Sequence, residues 1–442
     1  MKKIKLNLIF NSLVSVALIL FSTNNGFAQA IDKTIVKSTT IAGNVLVEVW
    51  GSNYDVAINT WDKNEVKAEV LIHAEANSNE ELNSFLNALE VAMEKQFNSK
   101  SGSLKISLPF RKMQQNNQKV EIELENNNKT YHLRKFKASM VINMPKQNNL
   151  EAKSSFGKLS IGNLNADATV TTSSSELEMG DCKNIKLNAS FTKKMKMGNV
   201  ENAELKISSS DLLMGEIKNN LNLRASFSGL EIGKIGNKAT INLSSSTFET
   251  SDIKTLELAA SFVRRFKIKN AEKVTMKLSS SEFEAANINL LEINNISFSK
   301  LNLDEIGTLK APGCSSSKFY IKKATSIEVT NSSFSDFYIN SLKTKFTTKA
   351  SSGSIHLTNV AKGFEKIDID GQFVSIDISV EENAGYLISA DLEFPNYNFK
   401  EITFQNRNKD LSKETFNGWK GSNKNASSEI SFNCKSCNIR LN

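Results

Sequence analysis

The sequence predicts an all-β fold: a right-handed parallel β-helix, or solenoid, of about 18 residues per coil, preceded by a β-rich domain that contains one helix. Three observations carry this. A short pattern returns every seventeen or eighteen residues from about Ala152 to Glu381, its clearest marks being Ala189-Ser190-Phe191, Ala225-Ser226-Phe227 and Ala260-Ser261-Phe262. These alternate with Ser208-Ser209-Ser210, Ser244-Ser245-Ser246 and Ser279-Ser280-Ser281. Within each period the apolar side chains recur by twos, which is strand periodicity.

Aligning each Phe with each middle Ser gives one ladder: Phe156, Ser174, Phe191, Ser209, Phe227, Ser245, Phe262, Ser280, Phe298, Ser316, Phe334, Ser352, Phe373. With a ladder residue as position zero, apolar or small side chains fall near −4, −2, +3, +5 and +8, as Leu223, Ala225, Leu230, Ile232 and Ile235 do around Phe227. The skip from zero to +3 marks a bend. Gly162, Gly180, Gly198, Gly215 and Gly233 follow the +5 residue in five successive coils, and positive φ is expected of them. One coil cannot bury its own apolar side, so each strand must pair in parallel with its equivalent about 4.8 Å away. The handedness rule for parallel crossovers predicts the right-handed winding. A ring in every coil would overfill a narrow interior, so the alternation of Phe with Ser reads as a buried column of rings with small residues between them. After Phe191 and Phe262 the next apolar pairs, Met195/Met197 and Phe266/Ile268, come one residue late, which predicts bulges at Thr192 to Lys194 and Val263 to Arg265.

The remaining segments divide the chain in order. Residues 1–30 have a basic start (Lys2, Lys3, Lys5), an apolar run from Leu8 to Phe21 and Ala28-Gln29-Ala30 at its end, the pattern of a cleaved signal peptide. Residues 31–150 form the β-rich capping domain. Its runs Val45–Trp50, Val56–Trp61 and Val66–Ile72 alternate as strands, and Ser78 with Glu81 makes a capping box for a helix striped with Leu82, Phe85, Leu86, Leu89, Met93 and Phe97. Leu104–Leu108 and Val120–Leu124 alternate again, the Asn126–Asn128 cluster turns the chain, and Pro145 ends the last strand before the array. Residues 151–403 are the solenoid, and 404–442 a C-terminal cap in which Ile430 to Leu441 closes the exit edge.

The chemistry is sparse. The chain of 442 residues carries a formal charge of +8, mild for its size and no basis for nucleic-acid binding. A serine nucleophile needs a base within reach, and the three histidines, His73, His132 and His356, are scattered. Glu176, Glu178, Asp211, Glu282 and Glu284 read as solvated coil faces, not as the paired carboxylates of a glycosidase. Cys434-Lys435-Ser436-Cys437 is a single CxxC, read as a local disulfide, while Cys182 and Cys314 read as core thiols. No catalytic, cofactor-binding or metal residues are assigned, no cofactor is implied, and no transmembrane segment follows residue 30.

Trp61-Asp62-Lys63-Asn64-Glu65-Val66, Val141-Ile142-Asn143-Met144-Pro145 and Ser154-Ser155-Phe156-Gly157-Lys158-Leu159-Ser160-Ile161, with the coils after it, resemble an exported bacterial adhesin-like family with β-strand repeats, a domain of unknown function. The resemblance implies a β-helical protein of the cell envelope or surface and brings no catalytic residues. The expected function is therefore a non-enzymatic exported protein that binds a glycan or an envelope protein on its flat faces, in the periplasm, on the outer-membrane surface or outside the cell. The alternatives are a carbohydrate-active enzyme, a lyase or hydrolase built on a β-helix, and a structural or signalling component of the envelope.

Overall fold

A computed structural model describes residues 29–43, 45–97, 102–116, 119–125, 129–421 and 426–442. Residues 1–28 of the segment read as a signal peptide, and the expected turn at Asn126–Asn128, lie outside the described residues, while Gln29 and Ala30 of that segment belong to the first strand, Gln29–Thr40. The fold is an all-β solenoid of about 13 turns with about 18 residues per coil and one helix near its N-terminal end.

The helix Asn79–Phe97 starts where the capping box placed it: the Ser78 hydroxyl accepts the Glu81 amide at 3.2 Å. Leu82, Phe85, Leu86, Leu89, Met93 and Phe97 are all buried, packed over an antiparallel sheet of Gln29–Thr40, Glu65–Ala76 and Thr130–Pro145. Two strands of this N-terminal region already belong to the parallel stack. Leu46–Ser52 pairs with Leu150–Ser155, and Asp55–Trp61 lies between Thr130–Pro145 and Lys158–Ile161. From there each coil contributes a longer strand before the ladder residue and a shorter one after it, as in Val200–Ser208 and Asp211–Met214, each bonded to its equivalents above and below.

The ladder residues stand in register, but they are not in the core. Every one is in the left-handed region, from Phe156 (φ 56°) to Phe373 (φ 55°), and the Phe rings are exposed. A left-handed residue slips the in-and-out alternation by one: position −2 points in, −1 and 0 both point out, and +1 points in again. The inward +1 column is Ser175, Thr192, Ser210, Ser228, Ser246, Val263, Ser281, Ser299, Ser317 and Ser335, all buried. Rings do fill the core, at +3 (at +4 for Phe266, where the corner carries an extra residue), and they do so on successive coils. Phe248 and Phe266 stack at 4.7 Å, Phe266 and Phe283 at 5.6 Å, and Phe319 and Phe337 at 4.7 Å, so a ring in each coil overfills nothing. Size alternation inside the coil is carried by position −2, where Ala189, Ala225 and Ala260 alternate with Ile207, Leu243 and Leu278.

The glycine expectation is corrected as well. Gly162, Gly180, Gly198, Gly215 and Gly233 are absent from the positive-φ residues; the left-handed corner is the ladder. Close approach requires these glycines instead. A Cβ on Gly180 would stand 2.1 Å from Asn163 Oδ1 and one on Gly198 2.3 Å from Asp181 Oδ1. Those oxygens accept the amides of Asp181 (2.9 Å) and Asn199 (2.7 Å), so the bare glycine leaves room for a side chain that caps the next coil. The extra residues near Thr192 to Lys194 and Val263 to Arg265 are present, but they widen the corner between strands and leave the ladders intact: Leu177 still pairs Met195, and Phe248 still pairs Phe266. Lys194 takes a second left-handed conformation to do so.

The C-terminal end departs from chain order. Glu429–Lys435 and Asn438–Leu441 do not close the edge; they slot between Lys366–Val380 on one side and Tyr386–Glu393 with Asn396–Phe399 on the other. Their apolar residues Ile430, Phe432, Ile439 and Leu441 continue the core columns, which an edge position would have left half exposed. The last coil is covered by Lys413–Lys420, antiparallel to Tyr386–Glu393, and by Ile402–Lys409 beyond it.

Candidate functional site

Two adjoining features run the length of the rod on one corner. The first is a groove formed by positions −3, −2 and −1. One segment, of about 960 Å³, runs from Thr171 to Asn295; a second, of about 790 Å³, continues from Asn295 to Asn433 and Lys435. Its repeated floor is the −1 serine row, Ser173, Ser190, Ser208, Ser226, Ser244, Ser261 and Ser279. Beside it, at −3, stand Asn188, Lys206, Arg224, Asn242 and Lys277. The first segment is lined by three cations and no carboxylate. The second is mixed: Lys349 meets Asp370 at 3.3 Å and Lys435 meets Glu393 at 2.8 Å, with Asp391 and Lys413 nearby. At the N-terminal end of the −3 column Trp50 is sandwiched by Lys105 and Lys153, whose ammonium groups sit 3.9 and 4.4 Å from the ring centre.

The second feature is the corner itself. Phe156, Phe191, Phe227, Phe262, Phe298, Phe334, Phe373 and Phe394 project outward, between 55% (Phe394) and 70% (Phe334) exposed. Corner amides along the repeat are fixed by the next coil, as Phe191 N donates to Ser208 O at 3.0 Å and Ser209 N to Ser226 O at 3.0 Å, and the last, Phe394 N, donates to Ser412 O at 2.6 Å in the C-terminal hairpin. The column is longer than the repeat suggested. Asn53 (φ 64°), whose amide bonds to Ser155 O at 2.9 Å, precedes Phe156 in space, and Ser436 and Phe394 follow Phe373. Neither conformation nor packing accounts for these rings. A left-handed Phe costs roughly 1–2 kcal/mol, and one this exposed recovers little of it from burial.

Behind the corner a polar ladder holds the coils together. Ser228 Oγ donates to Ser226 O at 2.8 Å and accepts the Ser210 amide at 3.3 Å; Ser246 Oγ donates to Ser244 O at 2.8 Å and accepts the Ser228 amide at 3.1 Å. These hydroxyls are committed to the backbone and are not nucleophiles.

The residues weighed for chemistry stay apart. His73 lies between Asp32 (2.8 Å) and Glu75 (3.0 Å), and hydrogen bonds to Glu75 and Asp32 raise its pKa above the ordinary value. His132 is 3.5 Å from Glu121, and His356 ends an outward stack on Tyr338 and Tyr320, each step 5.0 Å. Lys158 and Glu178 pair at 2.9 Å, and Lys300 and Glu282 at 2.9 Å, across neighbouring coils on the surface. Cys182 and Cys314 are buried, and burial pushes the Cys182 thiol up to about 12. Cys434 and Cys437, expected as a disulfide, are free thiols at the inward −2 and +1 positions of one coil. Gly371 makes room for both sulfurs, and the hydrogen bond between them holds the Cys434 pKa up and the Cys437 pKa down. Among the described residues no group of three or more His, Cys, Asp or Glu is placed to hold a metal ion, and no helix is long and apolar enough to cross a membrane.

Sequence reasoning missed both the outward rings and the groove. The signal was present at +1: Val263, Val374 and Thr192 occupy a column made mostly of serines, which marks that column, and not position zero, as the inward one.

No family model matches this chain, and no curated protein matches it. Among solved structures, a Clostridium sporogenes protein named for cell adhesion is similar at 8% identity and a TM-score of 0.17, covering 93% of this chain and 100% of its own. A Parabacteroides distasonis protein named for lipid binding is similar at 11% identity and a TM-score of 0.14, covering 92% and 96%. Likeness at this level transfers neither name.

Proposed function

We propose that this chain is a non-enzymatic, adhesin-like protein, exported to the cell envelope or surface, that holds an acidic glycan along the groove. One observation carries the reading: a continuous track in which hydroxyl, amide and cationic side chains recur at the coil spacing, with Lys206, Arg224 and Lys277 along a first segment that no carboxylate lines, Glu204 reaching Lys206 from outside it at 3.8 Å. A linear polymer with carboxylates along it meets one donor set after another, and each contact is weak while their sum is not. Export rests on the leader-like residues 1–30, and cell fractionation tests it: a cytoplasmic pool alone would count against it.

Binding is tested by titrating the protein with a uronate-bearing polysaccharide and a neutral glucan. The uronate polymer is expected to bind more tightly, with affinity falling as salt rises. Replacing Lys206, Arg224 and Lys277 together with Ala should weaken binding by tenfold or more. Equal binding of both polymers, or an unaffected triple variant, would refute the assignment. The competing enzyme reading has two places to stand: a surface pocket of about 600 Å³ where Glu231, Glu249, Glu284 and Asp304 gather, three of them already paired with Arg265, Lys267 and Lys322, and the second groove segment, where Asp370, Asp391 and Glu393 gather with Lys349, Lys413 and Lys435. Two of those cations are already committed to ion pairs, which favours a binding role there too.

A further inference from the structure

We propose that the exposed Phe column is a self-complementary seam through which two copies of this chain pair antiparallel, the rings of each entering the gaps between the rings of the other. The argument begins with the alternation. An apolar stripe for a lipid or an unshaped partner would be served by a ring on every coil. Here a ring stands on every second coil, with a small residue between, so the rings are spaced about 9.6 Å apart. A ring from another molecule placed in such a gap would lie about 4.8 Å from the ring on either side. That is the distance at which this protein stacks rings of its own on adjacent coils, Phe248 on Phe266 at 4.7 Å and Tyr320 on Tyr338 at 5.0 Å.

The alternation follows space and not chain order. In sequence Phe373 is followed by Phe394 and then Ser436. In the stack, the strands flanking Ser436 lie between those flanking Phe373 and those flanking Phe394, so the order becomes Phe, Ser, Phe. A rule kept across this rearrangement is a rule about the surface. The column then starts at Asn53 and ends at Phe394, with small and large residues strictly alternating and equal in number. A two-fold axis passing between Phe262 and Ser280 sets every ring opposite a small residue of the second copy and leaves no position unmatched. Phe262 meets Ser280, Phe191 meets Ser352, and Phe394 meets Asn53.

The area is sufficient. Eight rings, each about two-thirds exposed, offer on the order of 1,000 Å² per copy, against the roughly 800 Å² per partner of a standard stable interface. The pairing also accounts for aromatic residues in left-handed conformation, a combination that the coil itself does not need.

Sedimentation velocity on the chain from residue 29 to residue 442 is expected to give a dimer. Phe262→Ser with Phe298→Ser should raise the dissociation constant at least tenfold per ring, about 1.4 kcal/mol each. Both substitutions place at one coil what its neighbours already hold, so folding is preserved. The decisive variant is Ser280→Phe. It adds apolar surface but fills a gap, and so should weaken pairing; if association instead strengthens, the surface is merely sticky and the seam is wrong. Orientation is read by mixing Phe191→Cys and Ser352→Cys chains with a short bis-maleimide. The mixed pair should cross-link and neither variant should do so alone, because the native cysteines are buried and like positions would lie some nine coils apart. A monomer at 100 µM or above, or self-cross-linking of the Phe191→Cys variant, overturns the proposal. The groove variants leave this seam untouched, so loss of glycan binding and loss of pairing are separable.

Discussion

Removing the hydroxyl of Ser246 tests the physical basis of the stack. Ser246 Oγ accepts the buried Ser228 amide at 3.1 Å and donates to Ser244 O at 2.8 Å. Ser246→Ala creates almost no void but leaves the Ser228 N–H without an acceptor, at a cost of about 1–3 kcal/mol. Coil arrays transmit such losses mainly to nearest neighbours, so the effect should be local. Native-state hydrogen exchange is the suitable assay: the Ser228 amide should exchange roughly 10- to 100-fold faster, with amides near the helix unchanged. Val263 offers the converse experiment. It occupies the same inward position with no hydroxyl, whereas the equivalent Thr192, in the other widened corner, bonds Ser190 O at 3.1 Å and lies 3.0 Å from the Thr172 hydroxyl. In the serine coils the +1 hydroxyl accepts the amide of the coil before, as Ser228 Oγ accepts Ser210 N, so Val263→Thr should offer the Ser246 amide an acceptor and be neutral or stabilising by up to about 1 kcal/mol, although a buried Val→Thr change is ordinarily a loss. If Ser246→Ala leaves the Ser228 amide as protected as before, the hydroxyl column does not hold the coils and the reasoning fails.

At a concentration low enough to keep the chain monomeric, Phe227→Asn should leave thermal stability unchanged or raise it by about 1 kcal/mol, since Asn tolerates the left-handed corner and no buried ring is lost; a drop of about 3–5 kcal/mol there would mean that the ring is in the core after all. Gly198→Ala should destabilise by more than about 2 kcal/mol in thermal unfolding, because the new Cβ would press on Asp181 Oδ1 at 2.3 Å and on backbone at 2.7 Å. In the C-terminal hairpin, burial pushes the Glu414 carboxyl up, but the bonds from Tyr397 (2.7 Å) and Arg407 (2.7 Å) outweigh it and its pKa lies below the ordinary value. A depressed folded-state pKa gives stability that is present above the ordinary carboxylate range and lost as pH falls through the folded value. Limited proteolysis of 400–421 should accelerate over that acid window in the native chain and show no such dependence in Glu414→Gln.

The period of the ladder, the helix with its cap and the buried set at −4, −2, +3, +5 and +8 were legible because each depends on residues close in sequence. Ser78 reaches Glu81 within one turn, and Leu223, Ala225, Leu230 and Ile232 count out their own strands. Which way the corner residue points was not legible, because one left-handed residue reverses parity and no composition rule announces it when its occupant is Phe or Ser. An apolar ring at zero and a polar hydroxyl at +1 each imitate the opposite environment. Only the stacked backbone distinguishes them, since the +1 hydroxyl can be buried solely because the preceding coil offers it an amide. The same holds at the C-terminus, where Ile430 to Leu441 alternates as an edge strand would, yet becomes an inner coil. Local periodicity determined that this chain would wind; contacts between residues distant in sequence decided that its aromatic column would face outward.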